Sequence, residues 1–363
     1  MPKLSIGITI YNDHSLQQMI YGNGIAQNIK FLYDLLEIMD HNVFLIGNIK
    51  VDGNSIPIGS KSYRILCLRE IGEQNLQTDL LLEIGLTVNE KNRTALRQRF
   101  GTKIVGVRYG HTMFMDMEQI CHGGISAPGI YVSKPDMVWA SPHFEHSFSY
   151  LETLYSAPVD TAPYIWEPDL VGQPFAEGSY KARPDIHVLE PNLSLLKNSL
   201  IPMTTIERLY REAPESFGKA VIVNGTKFNK DKAFLENFVR HMPVFNVENK
   251  KAIFSDRAKF EAIFRERDVL LGHQYGCELN YLYLEALHKN IPLVHNSPAL
   301  QDAGYYYPDF RADLAAEELK NAISDQDSAA YHKKAKSILQ RYSIHNSDVQ
   351  AQYVELIEKT MAL

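Results

Sequence analysis

The sequence predicts an α/β fold made of two Rossmann-like, doubly wound domains. Short apolar runs of strand type alternate with helical segments along the whole chain, the pattern of parallel sheets covered by helices. Runs such as KLSIGITIY (Lys3–Tyr11) are nearly continuous and not alternating, which marks strands buried on both faces. At 363 residues the chain exceeds one ordinary domain, and an aperiodic stretch rich in Gly, Pro and polar residues, VGQPFAEGSYKARP, begins at Val171. These observations divide the chain into a first domain over 1–170, a linker over 171–183, a second domain over 184–340 and a closing helical segment over 341–363.

In order, KLSIGITIY is the first strand. A polar loop, NDHSLQQMIYGNG, leads to IAQNIKFLYDLLEIMDH, in which Ile25, Ile29, Leu32, Leu36 and Met39 recur on one helical face before the strand NVFLIGN. Gly22, Asn23 and Gly24 stand just before that helix, where a sugar or phosphate could approach the backbone closely. RILCL, DLLLEIG, KIVGVRYG and DMVWAS read as further strands, with LTVNEKNRTALRQRF helical between the middle two. Ligands of such sheets sit at the carboxyl ends of the strands. That rule selects Asp13 and His14 after the first strand, His111 after KIVGVRYG, and His143, Glu145 and His146 after DMVWAS. His111 follows a strongly apolar strand and a Gly, so it is expected to project as a general base with a pKa near neutrality. Each of these alone is more often a surface or packing residue.

The second domain opens with the strand DIHVLE, a Pro-Asn turn at Asn192, and Lys197 soon after. TTIERLYREAP, KAFLENFVRHM and SDRAKFEAIFRERD are expected helices, and AVIVNGT a strand. Beyond Tyr307, DLAAEELKNAISD, SAAYHKKAKSILQRY and DVQAQYVELIEKTMAL are amphipathic helices. The stretch between carries most of the chemistry. VLLGH is a strand, GHQYGCE a loop, and from Leu279 the residues Leu279, Leu282, Tyr283, Ala286 and Leu287 recur at helical spacing as one buried stripe. Asn290, Ile291 and Pro292 end that helix.

Glu285 follows Glu278 by seven positions, which on a helix places them nearly in line, with Tyr281 and His288 nearby. The amides from Gly276 through Cys277 to Asn280 are expected to open the helix and hold a phosphate at the positive end of its dipole. A carboxylate farther in would accept hydrogen bonds from a ribose diol. Together these describe a site for a nucleotide diphosphate. An ordinary βαβ crossover with solvated glutamates is the competing reading.

The segment LEALHKNIPLVHN resembles the donor half-site of GT-B glycosyltransferases, where Glu285 matches the glutamate that holds the nucleotide ribose. Retaining members have another glutamate eight residues earlier, and Cys277 stands there, so the resemblance departs from the retaining pattern and implies an inverting reaction. The same resemblance implies a cleft between the domains, a final helix crossing back onto the first domain, Gly22 to Gly24 as a substrate loop, and Lys197, with the turn at Asn192, on the donor diphosphate. The whole chain also resembles a bacterial and phage family related to GT-B enzymes, through EPNLSLLKNSLIPM, GHQYGCELNYLYLEAL and GYYYPDF. That second resemblance implies the fold and no particular chemistry.

Composition narrows the partners. With 45% hydrophobic and 22% charged residues and no apolar run of membrane-spanning length, the chain reads as soluble. The start goes straight into a strand without a leader, and three cysteines, Cys67, Cys121 and Cys277, lack metal or redox spacing, so a cytoplasmic setting is expected. A net charge of −6 argues against a dominant nucleic-acid surface, and the four cations of RTALRQRFGTK (Arg93–Lys103) are most simply a solvated helix face. Asp116-Met117-Glu118 has no strand before it, so no metal site and no cofactor are expected. The leading function is transfer of a sugar from a nucleotide-sugar donor, UDP-linked as first choice, to an acceptor hydroxyl on a surface glycan, a protein or a hydroxymethylated DNA base. Helix amides, Lys197 and His273 would stabilise the departing diphosphate. A sugar-nucleotide epimerase and a non-catalytic nucleotide-sugar binding protein are the alternatives.

Overall fold

The computed structural model describes residues 2–11, 20, 24–69, 77–122, 134–175, 183–246, 248, 251–258, 260–265, 267–325 and 328–363. The chain forms two compact units, one of Met1–Leu170 with Arg341–Leu363 and the other of Val171–Gln340.

In the first unit the elements run β1 (Ser5–Ile10), α1 (Gly24–Ile38), β2 (Asn42–Gly47), β3 (Ser55–Ile58), β4 (Lys61–Cys67), β5 (Leu80–Glu83), α2 (Glu90–Phe100), β6 (Lys103–Arg108), α3 (Thr112–His122), β7 (Met137–Ala140), α4 (Phe148–Tyr155) and β8 (Val159–Thr161). The sheet order is β3-β4-β2-β1-β5-β6-β7-β8. All pairings are parallel except β3 with β4, an edge hairpin that the sequence reading does not contain. β1 lies at the centre, with Ile6 opposite Val43 on one side and Leu80 on the other. Both faces of β1 are covered, as its continuous apolar run requires.

Helix α1 departs from a simple stripe. Ile29, Leu32 and Leu36 are buried as expected, but Ile25 is half exposed, while the polar Lys30 and Asp34 are buried. Lys30 donates to Asp34 at 2.7 Å and to Asp169 at 2.6 Å, and Tyr63 adds its hydroxyl to Asp34. The basic run after Val88 is a solvated face only in part, with Arg99 exposed. Arg93 is buried and donates to the buried Glu83 at 3.1 Å, and Arg97 donates to Asp136 at 3.0 Å. Glu83 also accepts the Val88 amide, so its charge is doubly held.

In the second unit the order is β9 (Ile186–Val188), α5 (Leu200–Glu212), β10 (Ala220–Ile222), α6 (Lys232–Asn237), β11 (Ala252–Phe254), α7 (Phe260–Ile263), β12 (Val269–Leu271), α8 (Tyr281–His288), β13 (Leu293–His295), β14 (Tyr305–Tyr306), α9 (Ala312–Ser324) and α10 (Ser328–Tyr342). Six parallel strands are arranged β11-β10-β9-β12-β13-β14. The core joins β9, β10, β12 and β13 to α5 and α9 through Ile186, Met203, Ile206, Ile222, Leu271, Val294 and Leu319. Two expected helices shorten: KAFLENFVRHM is an α-helix only over α6, and SDRAKFEAIFRERD, among its described residues, only over α7. Gln173 and Phe175, inside the stretch expected as linker, are fastened to the end of α8 by Lys289 and Asn290.

The closing helix α11 (Ser347–Met361) lies in the first unit. Thr360 accepts from the Trp139 indole at 3.1 Å, Tyr353 donates to the Pro163 carbonyl, and Lys359 pairs with Asp160. Among the described residues no helix is long and apolar enough to cross a membrane.

Arg93→Ala leaves Glu83 buried without its partner and should cost about 3–5 kcal/mol in denaturant unfolding, while the double variant Arg93→Met with Glu83→Leu should recover most of it. A loss below ~1 kcal/mol for the single variant would show that the pair does not hold α2 to β5.

Candidate functional site

The carboxyl ends of the second sheet gather most of the donor-site candidates. β9 leads through Glu190 and Asn192 to Lys197, and β12 leads through Gly272, His273 and Gln274 into α8. Gly272 is required by packing, because an added Cβ would meet the Tyr283 ring far inside van der Waals contact. The two loops are joined where the Tyr275 amide donates to the Leu196 carbonyl at 2.8 Å. Asn192 takes a left-handed conformation, φ 54°, and clasps its own loop by donating to the Glu190 carbonyl and accepting the Ser199 amide. Lys197 is half-buried, and no carboxylate lies within salt-bridge distance of its ammonium among the described residues.

Helix α8 starts later than its apolar spacing suggests. Asn280 is its N-cap and makes no side-chain cap, so the helix opens at Tyr281 and not at Gly276. Glu278 therefore lies in the loop, and its carboxylate accepts the Gly276 amide at 2.7 Å. This overturns two expectations. Glu278 and Glu285 are not aligned two turns apart on one helix, and the Gly276 amide is occupied by a negative group. Cys277 is buried, as is Tyr281. Residues on nearly all sides of α8 are covered instead of one stripe, and the less buried ones, Leu282, Glu285 and His288, fall at three-residue spacing on one face. Glu285 thus sits just over one turn into the helix on its accessible side. Asn290 ends the helix with φ 60°, as its place before Ile291 and Pro292 implies.

His273, expected to help stabilise a departing diphosphate, is instead a neutral, buried ring. Tyr307 has one hydroxyl proton and donates it to the Gly272 carbonyl at 2.9 Å, so it accepts the Nδ1 proton of His273 at 3.1 Å. The buried Nε2 then carries a lone pair. Burial pushes the pKa down to about 4, which keeps the ring uncharged. A neutral nitrogen lone pair does not stabilise a diphosphate.

The residue missed by sequence reading is Glu190. It ends the β9 run, where an acidic residue before Pro-Asn looks like an exposed turn, yet it is fully buried. Its carboxylate accepts the His273 amide at 3.1 Å and the Gln274 side-chain amide at 3.3 Å. Burial pushes its pKa up to about 7.

In the first unit, β6 ends at Arg108 and His111 caps α3, its carbonyl accepting the Met115 amide. That turn sends the ring between Phe114 and Phe144 instead of outward, leaving it 1% exposed. Burial, with the adjacent His146 ring, lowers its pKa to about 4, away from the expected neutrality. Its Nε2 lies 2.9 Å from Nε2 of His146, which is exposed. His143 packs on Phe144 and Tyr164, and Glu145 is exposed. Asp116 is buried in α3 and accepts from Tyr150 at 2.7 Å, with Glu118 in the same helix. Gly24 opens α1 with nothing within 4 Å of an added Cβ, so packing does not demand glycine there. Asp13, His14, Gly22 and Asn23 lie outside the described residues.

Burial holds His111, His273 and His295 near 4 against an ordinary 6.5. As pH falls below 6.5 the unfolded chain binds protons that the folded chain refuses, so the contribution of these three rings to stability should fall from there and level off near 4. Nitrogen-15 NMR should show His273 neutral with its proton on Nδ1 at pH 5.5; an imidazolium signal there would overturn the assignment.

Comparison with solved structures places the fold. The chain is similar to a trehalose-6-phosphate synthase at 12% identity, with TM-score 0.60 and coverage of 98% of this chain and 99% of that one. It is similar to Anabaena Alr3699/HepE, solved with UDP-glucose, at 11% identity, TM-score 0.55 and coverage of 98% and 100%. Against the GtfA/B complex the identity is 12% and the TM-score 0.51, with 87% of this chain covered but only 65% of the other. All three share the GT-B glycosyltransferase fold, and at these identities the likeness carries the fold alone. No curated protein sequence matches the chain. The chain belongs to the family described as "Protein of unknown function (DUF2827)", whose model matches residues 6–357.

Proposed function

We propose that the protein is a glycosyltransferase that draws its sugar from a nucleotide diphosphate donor held by the second unit. One observation carries this reading: Glu285 stands on the accessible face of α8, just over a turn from the side-chain-uncapped N-terminus, and the Tyr275–Leu196 bond joins the loop bearing Lys197 to the loop that opens the helix. Such a helix start attracts phosphate oxygens, a lysine adds a full charge, and a carboxylate one turn in suits a ribose diol. The fold shared with sugar-transferring enzymes, one of them solved with UDP-glucose, supports UDP as the nucleotide to test first.

In this reading the leaving diphosphate is stabilised by the α8 amides and Lys197, and His273 has no part in it. No metal ion is needed to carry that charge. Cys277 supplies no carboxylate where retaining enzymes have one, which supports inversion. Glu145 replaces His111 as the proposed base, because it is exposed and His111 is not. Release of an epimerised nucleotide sugar without acceptor would instead support the epimerase, and binding without turnover the non-catalytic protein.

UDP at a hundredfold excess over its dissociation constant should stabilise the fold by about 2.7 kcal/mol, read as a thermal shift. Lys197→Ala should weaken binding roughly 10- to 100-fold, the worth of a charge-assisted contact. Glu285→Ala should weaken it without lowering the melting temperature of the ligand-free protein. No shift with any nucleoside diphosphate removes the reading, and a strict requirement for added divalent metal removes its metal-free form.

A further inference from the structure

The carboxyl ends of β9, β12 and β13 are laced together by buried side chains. Asn296, beyond β13, accepts the Gln274 amide at 3.0 Å and donates to the Gln274 carbonyl at 2.7 Å. From the other side Glu190 accepts the His273 amide and the Gln274 side chain. Glu190 is the acid of this network, and two donors are fewer than a buried carboxylate can accept. The titratable groups that act on its charge are Lys197 on the loop that follows it, which favours the ionised form, and the phenols of Tyr283 on α8 and Tyr307 beyond β14, with the neutral His273 ring on the β12 loop. His273 and the two phenols are neutral at pH 7, so Lys197 is the one cation of the set and favours the ionised carboxylate. A donor diphosphate would add negative charge to the same neighbourhood and engage the same ammonium.

We propose that Glu190 takes up a proton from solvent when a nucleotide diphosphate sugar binds, as a positioning residue that gives up its negative charge near the Lys197 loop while keeping its hold on the β12 loop. The inference rests on the donor-site reading above. The proton adds to a carboxylate oxygen, and no bond of the sugar nucleotide changes. Burial already places the free protein near the midpoint of this titration at neutral pH. Because the bound form holds the proton more tightly, affinity falls as pH rises above 7, by up to about tenfold per unit.

UDP-glucose is the probe, since its diphosphate diester does not titrate near neutrality. Isothermal titration calorimetry from pH 6 to 8.5, in two buffers of different ionisation enthalpy, counts the protons. Wild type should take up as much as one proton per ligand and lose affinity with rising pH. Glu190→Gln should bind with affinity independent of pH and without proton uptake. Uptake that persists in Glu190→Gln, or wild-type affinity that ignores pH, overturns the proposal. Lys197→Met offers a second variant at a half-buried site, in which the fractional uptake at pH 7 should fall because the free carboxyl is already protonated. A wild type that binds no nucleotide sugar at any pH sinks the donor-site reading instead. Glu190 then answers separately in unfolding. Its folded pKa is raised, so the cost of ionising it grows between pH 4.5 and 7, and Glu190→Gln should gain stability relative to wild type over that range. A difference that stays flat with pH overturns the titration itself.

Discussion

The second sheet is built from strands of two or three residues, too short for the ladder alone to satisfy the backbone around them, and buried polar side chains complete it at both ends. At the amino ends Asp268 accepts the Asp185 and Arg265 amides and pairs with His187, and Asp185 accepts the Lys219 amide. At the carboxyl ends Glu190 and Asn296 do the equivalent for the β12 loop. This constraint has a functional consequence. A loop pinned by side chains presents its amides and its following helix in one geometry, which a phosphate site needs, whereas a loop closed only by solvent would have to be ordered at each binding event.

Much of the fold was legible because burial writes itself into the pattern. The continuous apolar runs became β1, β2, β5, β6 and β7, and the periodic stretches became α1, α2, α5 and the closing helices. What failed had physical causes. The β3–β4 hairpin turns at Gly59 and pairs strands of mixed polarity, Ser-Ile-Pro-Ile with Lys-Ser-Tyr-Arg, which lack the double-sided burial that marks the others. Helix α3 is rich in Met and half exposed, so it has no clean stripe. The stretch after AVIVNGT breaks into short helical turns because Phe228, Phe234, Phe238, Phe245 and Phe254 pack ring on ring, and that aromatic packing overrides the helical period.

The site was legible to a different depth. The place of Glu285 on a helix stopped by Asn-Ile-Pro was legible, and the structure puts it on the accessible face of α8. Lys197, matched through the resemblance and not by periodicity, stands half-buried in the loop after β9. Glu278 was misplaced because periodicity does not locate a helix start: Leu279 fits the stripe but precedes the N-cap, and the carboxylate one residue earlier turns back onto Gly276. His111 was misjudged for a related reason, since its capping role at α3 directs the ring inward. Glu190 carries no sequence mark at all, because burial of an acid in a Pro-Asn turn depends on Gln274, Asn296 and Tyr283, which come from 84, 106 and 93 residues away in the chain.

These placements change how charge is handled around the proposed donor site. Reading the sequence alone suggested helix amides, Lys197 and His273 for the leaving diphosphate. The structure removes His273 from that set and leaves one lysine with the dipole of an eight-residue helix. A single lysine beside a fixed carboxylate would be a weak anion site, because the carboxylate cancels part of its field. A carboxylate able to accept a proton escapes that limit: it holds the β12 loop when the site is empty, and in the proposal above it goes neutral when phosphate arrives. Neutral surroundings are what make this exchange possible, since His273, Tyr283 and Tyr307 bring hydrogen-bonding capacity without charge, and burial holds the acid near the pH at which either form is within reach.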